Sequence, residues 1–196
     1  MNGIDPLGPW PTGPKIVNRE RFLDDRGSFE MAFEFQRIRE LDPTFPEMLQ
    51  VNILRGFRGS LRGFHWSPTG ENHWKVLTVV NGKVREAIMD VSPGSSTYGL
   101  TVHFDLSSED KVTLVIPPGF AHAVQTITTE STTIYATNVI YANNKEREYS
   151  PLSLGLSNIW LEPKILSERD AKADDFPQIP DTLKISLVSK KEHWCD

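Results

Sequence analysis

The sequence predicts a single all-β domain folded as a jelly roll, and three observations lead to that prediction. At 196 residues, the chain has the length of one domain with a substantial core. From residue 49 to residue 140, short β-branched and apolar runs alternate with turn residues, which is typical of a sandwich or barrel. Helical periodicity is confined to two short segments that could not carry the core.

Six runs in this region have the length and composition of strands. Between them lie Asn81-Gly82, a strong hairpin signal, and two turns rich in Gly, Pro and Ser at 92–96 and 117–119. Six strands with flanking pieces are enough for a jelly roll. The predicted strands are Leu49–Leu54, Trp74–Val80, Lys83–Val91, Leu100–Leu106, Lys111–Ile116 and Thr132–Ile140.

The two helical segments lie outside this region. The first, Phe33–Leu41, ends before Asp42-Pro43, because proline cannot continue a helix. The second, Ser167–Asp174, begins with a serine able to cap it and has acidic residues in its first turn. We expect residues 1–20 to form an extended N-terminal arm and residues 177–196 to form a tail on the surface.

Composition and charge limit the class of protein. A net charge of -5 and a pI near 5.6 argue against a general nucleic-acid or anionic-membrane surface, although a local basic pocket could hold a small anion. The N-terminus lacks the apolar core of a signal peptide or a membrane span. The single cysteine, Cys195, precludes a disulfide within one chain. We therefore expect a cytoplasmic protein that binds neither nucleic acid nor membrane.

The most informative motif is Gly59–Trp66, which contains Arg62 and His65. Histidine is able to move a proton near neutral pH, and arginine presents a fork of donors that matches phosphate oxygens. The pairing suits a proton-transfer site that also holds an anion. On this motif alone, a core histidine beside a surface arginine is an equal alternative.

Four residues downstream complete a set suited to moving protons on carbon, namely Lys75, His122, Tyr135 and Asp170. A hydrogen next to a ketone is acidic only when the enolate oxygen left by its removal is stabilised. The reaction therefore needs a base, an oxyanion partner and an acid. Histidine, lysine and tyrosine fill these roles, and an aspartate orients the basic imidazole. To invert a carbon centre, the acid must return the proton from the opposite face.

Spacing does not show that these side chains converge, and each has a structural alternative. Tyr135 lies in a strand-like run and is suited to core or cross-strand packing. Lys75 taken alone is a solvated charge, although its place between Trp74 and Val76 is unusual for one. Asp170 taken alone is an acid at the start of a helix.

Eight motifs occur in order across nearly the whole chain. They are Asp25–Phe29, Gln50–Asn52, Leu61–His65, Lys75, Gly94–Gly99, Pro118–His122, Tyr135 and Leu166–Ala171. In this order the chain resembles the dTDP-4-dehydrorhamnose 3,5-epimerase family. The resemblance implies a cupin-type double-stranded β-helix, or jelly roll, that works as a homodimer without metal or other cofactor. It also implies a nucleoside-diphosphate 4-keto-6-deoxy sugar as substrate, in deoxysugar and surface polysaccharide biosynthesis.

The same resemblance implies roles for the proton-transfer residues. His65 is the base, and Asp170 is its partner. Tyr135 is the acid on the other face of the sugar, and Lys75 stabilises the enolate oxygen. The chain would then be an isomerase that inverts C3, C5 or both through an enolate.

Six residues are implied in substrate binding. The two arginines of this set hold the diphosphate, and the histidine lines the sugar pocket. The glutamine and the asparagine are similar to positions that line the nucleotide and sugar pocket, and the glutamate follows the first motif. The six are Arg26, Arg62, His122, Gln50, Asn52 and Glu30.

Departures from the family pattern concern the substrate. Phe64 and Trp66 differ from the usual leucine and phenylalanine and predict a bulkier wall beside the base. Ala123-Val124 follows the pocket histidine where glycine and an aromatic residue are usual, and Ile53 replaces a small polar residue. The nucleotide (dTDP, GDP or CDP), the sugar and the choice between C3 and C5 therefore stay open.

Three alternative functions are also open. A metal-dependent cupin could use His65, His122 and Glu71 as ligands, but Ser67 stands where a further histidine is expected, and Lys75 adds a positive charge. A 3,4-ketoisomerase would bind the same class of sugar nucleotide without inverting a carbon. A catalytically silent sugar-nucleotide-binding protein would share the fold alone.

Overall fold

The structure, a computed structural model, describes residues 4–10, 12–68, 72–140, 146–153 and 155–177. Its strands are β1 (Ile4–Pro6), β2 (Lys15–Asn18), β3 (Arg21–Asp24), β4 (Gly27–Glu30), β5 (Gln50–Phe57), β6 (Leu61–Trp66), β7 (Lys75–Asn81), β8 (Lys83–Asp90), β9 (Thr101–Ser107), β10 (Val112–Ile116), β11 (Phe120–Thr126), β12 (Glu130–Thr137) and β13 (Arg147–Glu148). The helices are α1 (Phe35–Leu41), α2 (Glu168–Ala171) and a 3-10 turn at Ser157–Ile159.

Two antiparallel sheets enclose the main core. The larger sheet has the order β1-β2-β10-β7-β12-β5, the smaller has the order β13-β6-β11-β8-β9, and β3 and β4 form a separate hairpin. Leu77 and Val79 of the larger sheet pack in one buried cluster with Val84 and Ile88 of the smaller sheet. Alternate residues of a strand share a face, so each sheet buries one row of side chains against the other. The predicted all-β class is confirmed.

All six predicted strands are present, with shifted ends. The largest shift is in β12, predicted at 132–140 and found at Glu130–Thr137. Two central strands, β6 and β11, were not among the predicted runs. Both mix glycine, alanine or histidine with apolar residues, and each pairs with a neighbour on both sides. Their strand conformation therefore comes from sheet pairing more than from local composition.

The two predicted helices are present but shorter. Helix α1 begins two residues later than the predicted segment and ends at the predicted Leu41. Helix α2 covers only Glu168–Ala171 of the predicted Ser167–Asp174. Its cap is confirmed, because Oγ of Ser167 accepts the backbone N–H of Asp170 at 3.1 Å.

The described part of the predicted N-terminal arm belongs to the larger sheet. Strand β1 pairs with β2, which pairs with β10, and Leu7 and Trp10 are buried in the main core. This part of the arm forms the edge of the larger sheet. Residues 178–196 of the predicted tail, with Cys195, lie outside the described residues. Among the residues described, no helix is long and apolar enough to cross a bilayer.

Candidate active site

A β-bulge in β6 brings Arg62 and His65 to one face of the sheet. They are three positions apart, so a regular strand would place them on opposite faces. Their Cα partners on β11, Val124 and His122, are two positions apart, so β6 holds one extra residue here. Gly63 lies in this bulge with φ of 105°, and a Cβ there would be 2.5 Å from the carbonyl oxygen of His122. Only glycine fits this close approach.

His65 and His122 line a cavity of about 270 Å³ that is bounded by the two sheets. Most of the side chains that line it are polar or charged, and five of the ten residues predicted for the site are among them. The lining residues are Leu54, Arg62, His65, Lys75, Leu77, Glu86, His122, Val124, Thr133, Tyr135, Glu146 and Arg169.

His65 is held by Asp170, which lies behind it. Nε2 of His65 and Oδ1 of Asp170 are 2.7 Å apart, and Oγ of Ser167 donates to the other carboxylate oxygen at 2.8 Å. Burial alone would raise the pKa of Asp170, but hydrogen bonds from His65, Ser167 and the backbone N–H of Gly63 outweigh it and lower that pKa. An ionised Asp170 accepts the Nε2 proton, so the lone pair of His65 is on Nδ1.

Lys75 is buried on β7 and pairs with a glutamate that the sequence did not indicate. Its ammonium group donates to Oε1 of Glu146 at 3.0 Å. Burial alone would raise the pKa of Glu146, but the charge and hydrogen bond of Lys75, with smaller effects of His65 and His73, lower it. The ammonium group is thus fixed at the cavity by a carboxylate.

Tyr135 lies on the sheet opposite His65. It belongs to β12 of the larger sheet, where its Cα partners are Leu77 on β7 and Asn52 on β5. Tyr135 and Leu77 both line the cavity, as His65 does from the smaller sheet. A ring bound between the sheets would therefore meet the histidine and the phenol on different faces.

A second pair of a histidine and an acid lies beside the first. His122 is the Cα partner of His65, and its Nδ1 is 3.4 Å from Oε2 of Glu86 on β8. Burial raises the pKa of Glu86 well above its usual range, although the Lys75 charge opposes the shift. Burial, together with the charges of Lys75, His65 and His73, lowers the pKa of His122 well below its usual range. Both shifts favour the uncharged form of each partner.

Two arginines offer anion-binding donors at the cavity. The exposed guanidinium group of Arg62 donates to the backbone carbonyl of Arg55 at 3.3 Å. Arg169 lines the same cavity, and its guanidinium group lies 2.5 Å from a carboxylate oxygen of Glu148. The sequence motif around residue 169 indicated only Asp170, and the arginine beside it was missed.

Gln50 and Asn52 lie on β5, next to the strand that carries Tyr135. Nε2 of Gln50 donates to Oδ1 of Asn52 at 2.6 Å. Neither residue is among those that line the cavity. Their predicted place in the nucleotide and sugar pocket stays a prediction.

Arg26 and Glu30 are not brought to this cavity. The side chain of Arg26 is 89% exposed on the hairpin of β3 and β4, where it pairs with Asp24 at 2.5 Å. Glu30 accepts hydrogen bonds from Arg19 and Arg21 at 2.7 and 2.6 Å. Neither side chain contacts the cavity of its own chain, so their binding roles stay predictions.

Phe64 and Trp66 face away from the cavity. Phe64 is fully buried in a second core cluster with its ring centroid 6.1 Å from that of Trp160, and Trp66 stacks on Tyr149 at 5.9 Å. The expectation of a bulkier wall beside the base is wrong, because neighbours of His65 along the strand point to the opposite face.

The residues considered for a metal-dependent cupin are arranged differently from a ligand set. Within the described ranges, no three His, Cys, Asp or Glu side chains are grouped as metal ligands, and Glu71 lies outside those ranges. The hydroxyl group of Ser67 is hydrogen bonded to Nδ1 of His73, whose Nε2 lies 2.8 Å from Oγ1 of Thr137. Burial and the Lys75 charge lower the pKa of His73 to about 4.

The fold and the site together define a class of protein. A jelly roll whose cavity is lined by a lysine, a tyrosine and a histidine that an aspartate holds has the groups of an isomerase that moves protons on carbon. The model of the dTDP-4-dehydrorhamnose 3,5-epimerase family matches residues 12–178. The chain belongs to this family and is a nucleotide-sugar epimerase, an isomerase of EC 5.1.3. The expected cupin-type fold is confirmed with it.

Relatives and solved structures agree with this assignment. A dTDP-4-dehydrorhamnose 3,5-epimerase from Streptomyces griseus is 30% identical, with 91% of this chain and 88% of the relative covered. A dTDP-4-dehydro-6-deoxyglucose 3-epimerase from a Streptomyces species is 28% identical, with 99% and 96% covered. The crystal structure of a dTDP-6-deoxy-D-glucose-3,5-epimerase from Legionella pneumophila, in complex with dTDP-4-keto-L-rhamnose, is 28% identical with a TM-score of 0.80. That match covers 96% of this chain and all of the other.

Proposed function

We propose that this protein epimerises C3, C5 or both of a dTDP-linked 4-keto-6-deoxy sugar by proton transfer through an enolate. The observation that carries the proposal is the placement of His65, held by Asp170 of α2, on one sheet and of Lys75 and Tyr135 on the other, so that His65, Lys75 and Tyr135 line one cavity. The family supports dTDP as the nucleotide. It is also the ground for a role in deoxysugar and surface polysaccharide biosynthesis.

The first step is removal of a proton from the carbon next to the C4 ketone. Nδ1 of His65 accepts it while Nε2–H stays bonded to Asp170, which stabilises the imidazolium that forms. The electron pair of the broken C–H bond moves to O4 as an enolate. The ammonium group of Lys75, fixed by Glu146, is the charged donor available to that oxygen.

The second step returns a proton to the same carbon from the other face. The phenol of Tyr135 gives up its proton, and the enolate collapses to the ketone with the centre inverted. The phenolate then regains a proton and the imidazolium loses one to solvent, which restores both groups. The opposite positions of His65 and Tyr135 support this division of roles.

Arg62 and Arg169 are suited to hold the diphosphate, because both guanidinium groups lie at the same cavity. Arg62 has the role that the family resemblance implies. Arg169 adds a second cation whose carboxylate partner is Glu148. A diphosphate placed between the two would bring the sugar toward His65.

The proposal includes a homodimer. Edge strand β5 exposes Val51, Ile53 and Phe57, and the hairpin of β3 and β4 exposes Phe22 and Phe29. An unpaired edge with apolar side chains is suited to cover by a second copy. The diphosphate role predicted for the exposed arginine of this hairpin then needs the hairpin to lie at the partner's cavity. Light scattering should give twice the chain mass, and a monomer in solution would refute this part.

The function is tested by offering dTDP-, GDP- and CDP-linked 4-keto-6-deoxyglucose to the protein in deuterated water. Mass spectrometry and NMR then show which carbons exchange and which products form. The expected result is deuterium at C3, C5 or both of the dTDP sugar, with an inverted product. Exchange without inversion would favour a different isomerase. Binding without exchange would favour the silent binding protein.

A further inference from the structure

Glu86 is an acid at the floor of the cavity for which the proton-transfer scheme has no role. It lies on β8 in the row of Val84 and Ile88, and it is the Cα partner of Val124. Its exposed fraction is 1%, yet its carboxyl group is among those that line the cavity. An acid buried in an apolar row needs either a cation or a proton.

The neighbourhood provides no free cation for this acid. Among the described residues, its hydrogen-bond partner is Nδ1 of His122, at 3.4 Å. No lysine or arginine nitrogen of the described chain lies within ion-pair distance of it. Lys75, the cation whose charge acts on Glu86, is already paired with Glu146 at 3.0 Å. An ionised Glu86 would be a second, uncompensated anion in a buried place.

Resting on the proposed function, we propose that Glu86 is a protonated positioning residue that donates its O–H to Nδ1 of His122. His122 is then fixed in the tautomer that carries its proton on Nε2. It presents an uncharged N–H to the oxygen atoms of the bound sugar, beside the base His65. In the pair of Glu86 and His122 the acid carries the shared proton, whereas in the pair of Asp170 and His65 the histidine carries it.

The pKa directions support this arrangement. Burial acts in opposite directions on the two groups, raising the pKa of Glu86 and lowering that of His122. The charged and titratable groups that face the pair are Lys75 on β7, His65 on β6 and His73 ahead of β7. All of them oppose a positive charge on His122. Burial favours the neutral pair at both groups, and the Lys75 charge favours a neutral His122 while opposing, more weakly than burial, the proton on Glu86.

A neutral His122 has a chemical consequence for the base. The reaction puts a positive charge on His65 when the proton leaves carbon. A second imidazolium at its Cα partner, next to the Lys75 ammonium, would oppose that transfer. The protonated acid therefore lets His122 bind an oxygen without adding charge at the cavity.

The proton on Glu86 is tested directly by infrared difference spectroscopy of the full chain at neutral pH. The wild-type spectrum minus that of Glu86→Gln should show the C=O band of a protonated carboxyl group. A carboxylate band in its place would overturn the proposal. This readout needs no substrate, so it stands even if the wild type turns over no sugar nucleotide, an outcome that would refute only the proposed function.

Turnover tests the positioning role. Glu86→Leu should lower kcat on the dTDP 4-keto sugar by about tenfold or more, because the tautomer of His122 is released. Glu86→Gln should restore most of that loss, since its amide N–H donates to Nδ1 without a charge. Nitrogen-15 spectra should show the Nε2–H tautomer of His122 in wild type and Glu86→Gln. A folded Glu86→Gln that is as inactive as Glu86→Leu, or that has the other tautomer, would contradict the role. If Glu86→Leu does not fold, the glutamine variant alone decides.

Discussion

The two pairs of histidine and acid differ in how the protein treats the acid. Asp170 lies in the short helix α2, and its carboxyl group accepts hydrogen bonds from His65 at 2.7 Å and from Ser167 at 2.8 Å. Glu86 lies in the middle of a strand and meets His122 at 3.4 Å, with apolar neighbours along its row. Donors around the carboxyl group hold the first acid ionised, and their scarcity around the second keeps it protonated.

This difference separates the functions of two adjacent imidazoles. His65 and His122 are Cα partners on neighbouring strands and line the same cavity. An ionised acid makes the first a base, and a protonated acid makes the second a neutral donor. The environment of the carboxyl group, and not the histidine itself, decides which imidazole takes the proton.

Removing each histidine in turn should give the largest difference in activity between the two pairs. His65→Ala should abolish deuterium uptake at C3 and C5 and lower kcat by about 10³-fold or more, because the base is lost. His122→Ala removes one neutral donor and should lower kcat by about 10- to 100-fold while exchange persists. Proton NMR of the sugar in deuterated water measures both. Equal losses in the two variants would mean that both histidines act in the proton transfer.

Substitution of Tyr135, the acid on the other sheet, should have a smaller effect that falls on inversion more than on exchange. Tyr135→Phe keeps the base and the enolate stabiliser, so exchange should fall by less than about tenfold. Inversion should fall by about 100-fold, because no acid returns the proton from the far face. The ratio of exchange to inversion, read from one NMR time course, checks this. A parallel loss of both would give Tyr135 a part in proton removal.

The sequence predicted strands such as β7, whose run of apolar and β-branched residues from Val76 to Val80 is unbroken, because composition and length suffice there. Through family resemblance it also predicted catalytic roles for four residues, namely His65, Lys75, Tyr135 and Asp170. The sequence did not predict strand β6. The bulge at Gly63 depends on pairing with β11, and this bulge decides which side chains of β6 face the cavity.

Glu86 shows why the second pair was missed. It follows Arg85 in a strand, and two adjacent charged residues indicate a solvent-facing stretch. Only the register of β8 against β11 places its carboxyl group at Nδ1 of His122. Glu146 was missed for a related reason, because no local pattern marks the ion pair with Lys75. Partners that are distant in sequence leave no signal in composition or spacing.

The stability of the two acid variants should shift with pH in opposite directions, as the smallest of these effects. The folded pKa of Asp170 is lowered, so its stabilisation is present above the unfolded value near 3.8 and is lost as pH falls through the folded pKa. The folded pKa of Glu86 is raised, so stability is lost as pH rises from 4.5 toward that pKa.

As pH rises from the lowered pKa of Asp170 to about 3.8, the Tm of Asp170→Asn relative to wild type should therefore become lower. As pH rises from about 4.5 to about 7, the Tm of Glu86→Gln relative to wild type should become higher. Each change is expected to be about 2–4 °C for every kcal/mol, measured by thermal unfolding across these two pH ranges. Asn18, which is half-buried away from the cavity with its Oδ1 atom enclosed, offers a control, because Asn18→Asp is unrelated to either pair. The shift of this variant reports only the cost of a new charge. Parallel shifts of the two acid variants would show that both acids have the same charge.

Deuterium uptake by Asp170→Asn and Glu86→Gln, measured side by side on the dTDP 4-keto sugar, tests whether the first acid acts as an anion and the second as a neutral group. Each change replaces a carboxyl group by its neutral amide isostere beside a histidine. Asp170→Asn should slow exchange by about 100-fold or more, because the amide does not stabilise the imidazolium of His65. Glu86→Gln should retain most of the wild-type exchange rate. Equal losses in the two variants, or a larger loss in Glu86→Gln, would contradict the account.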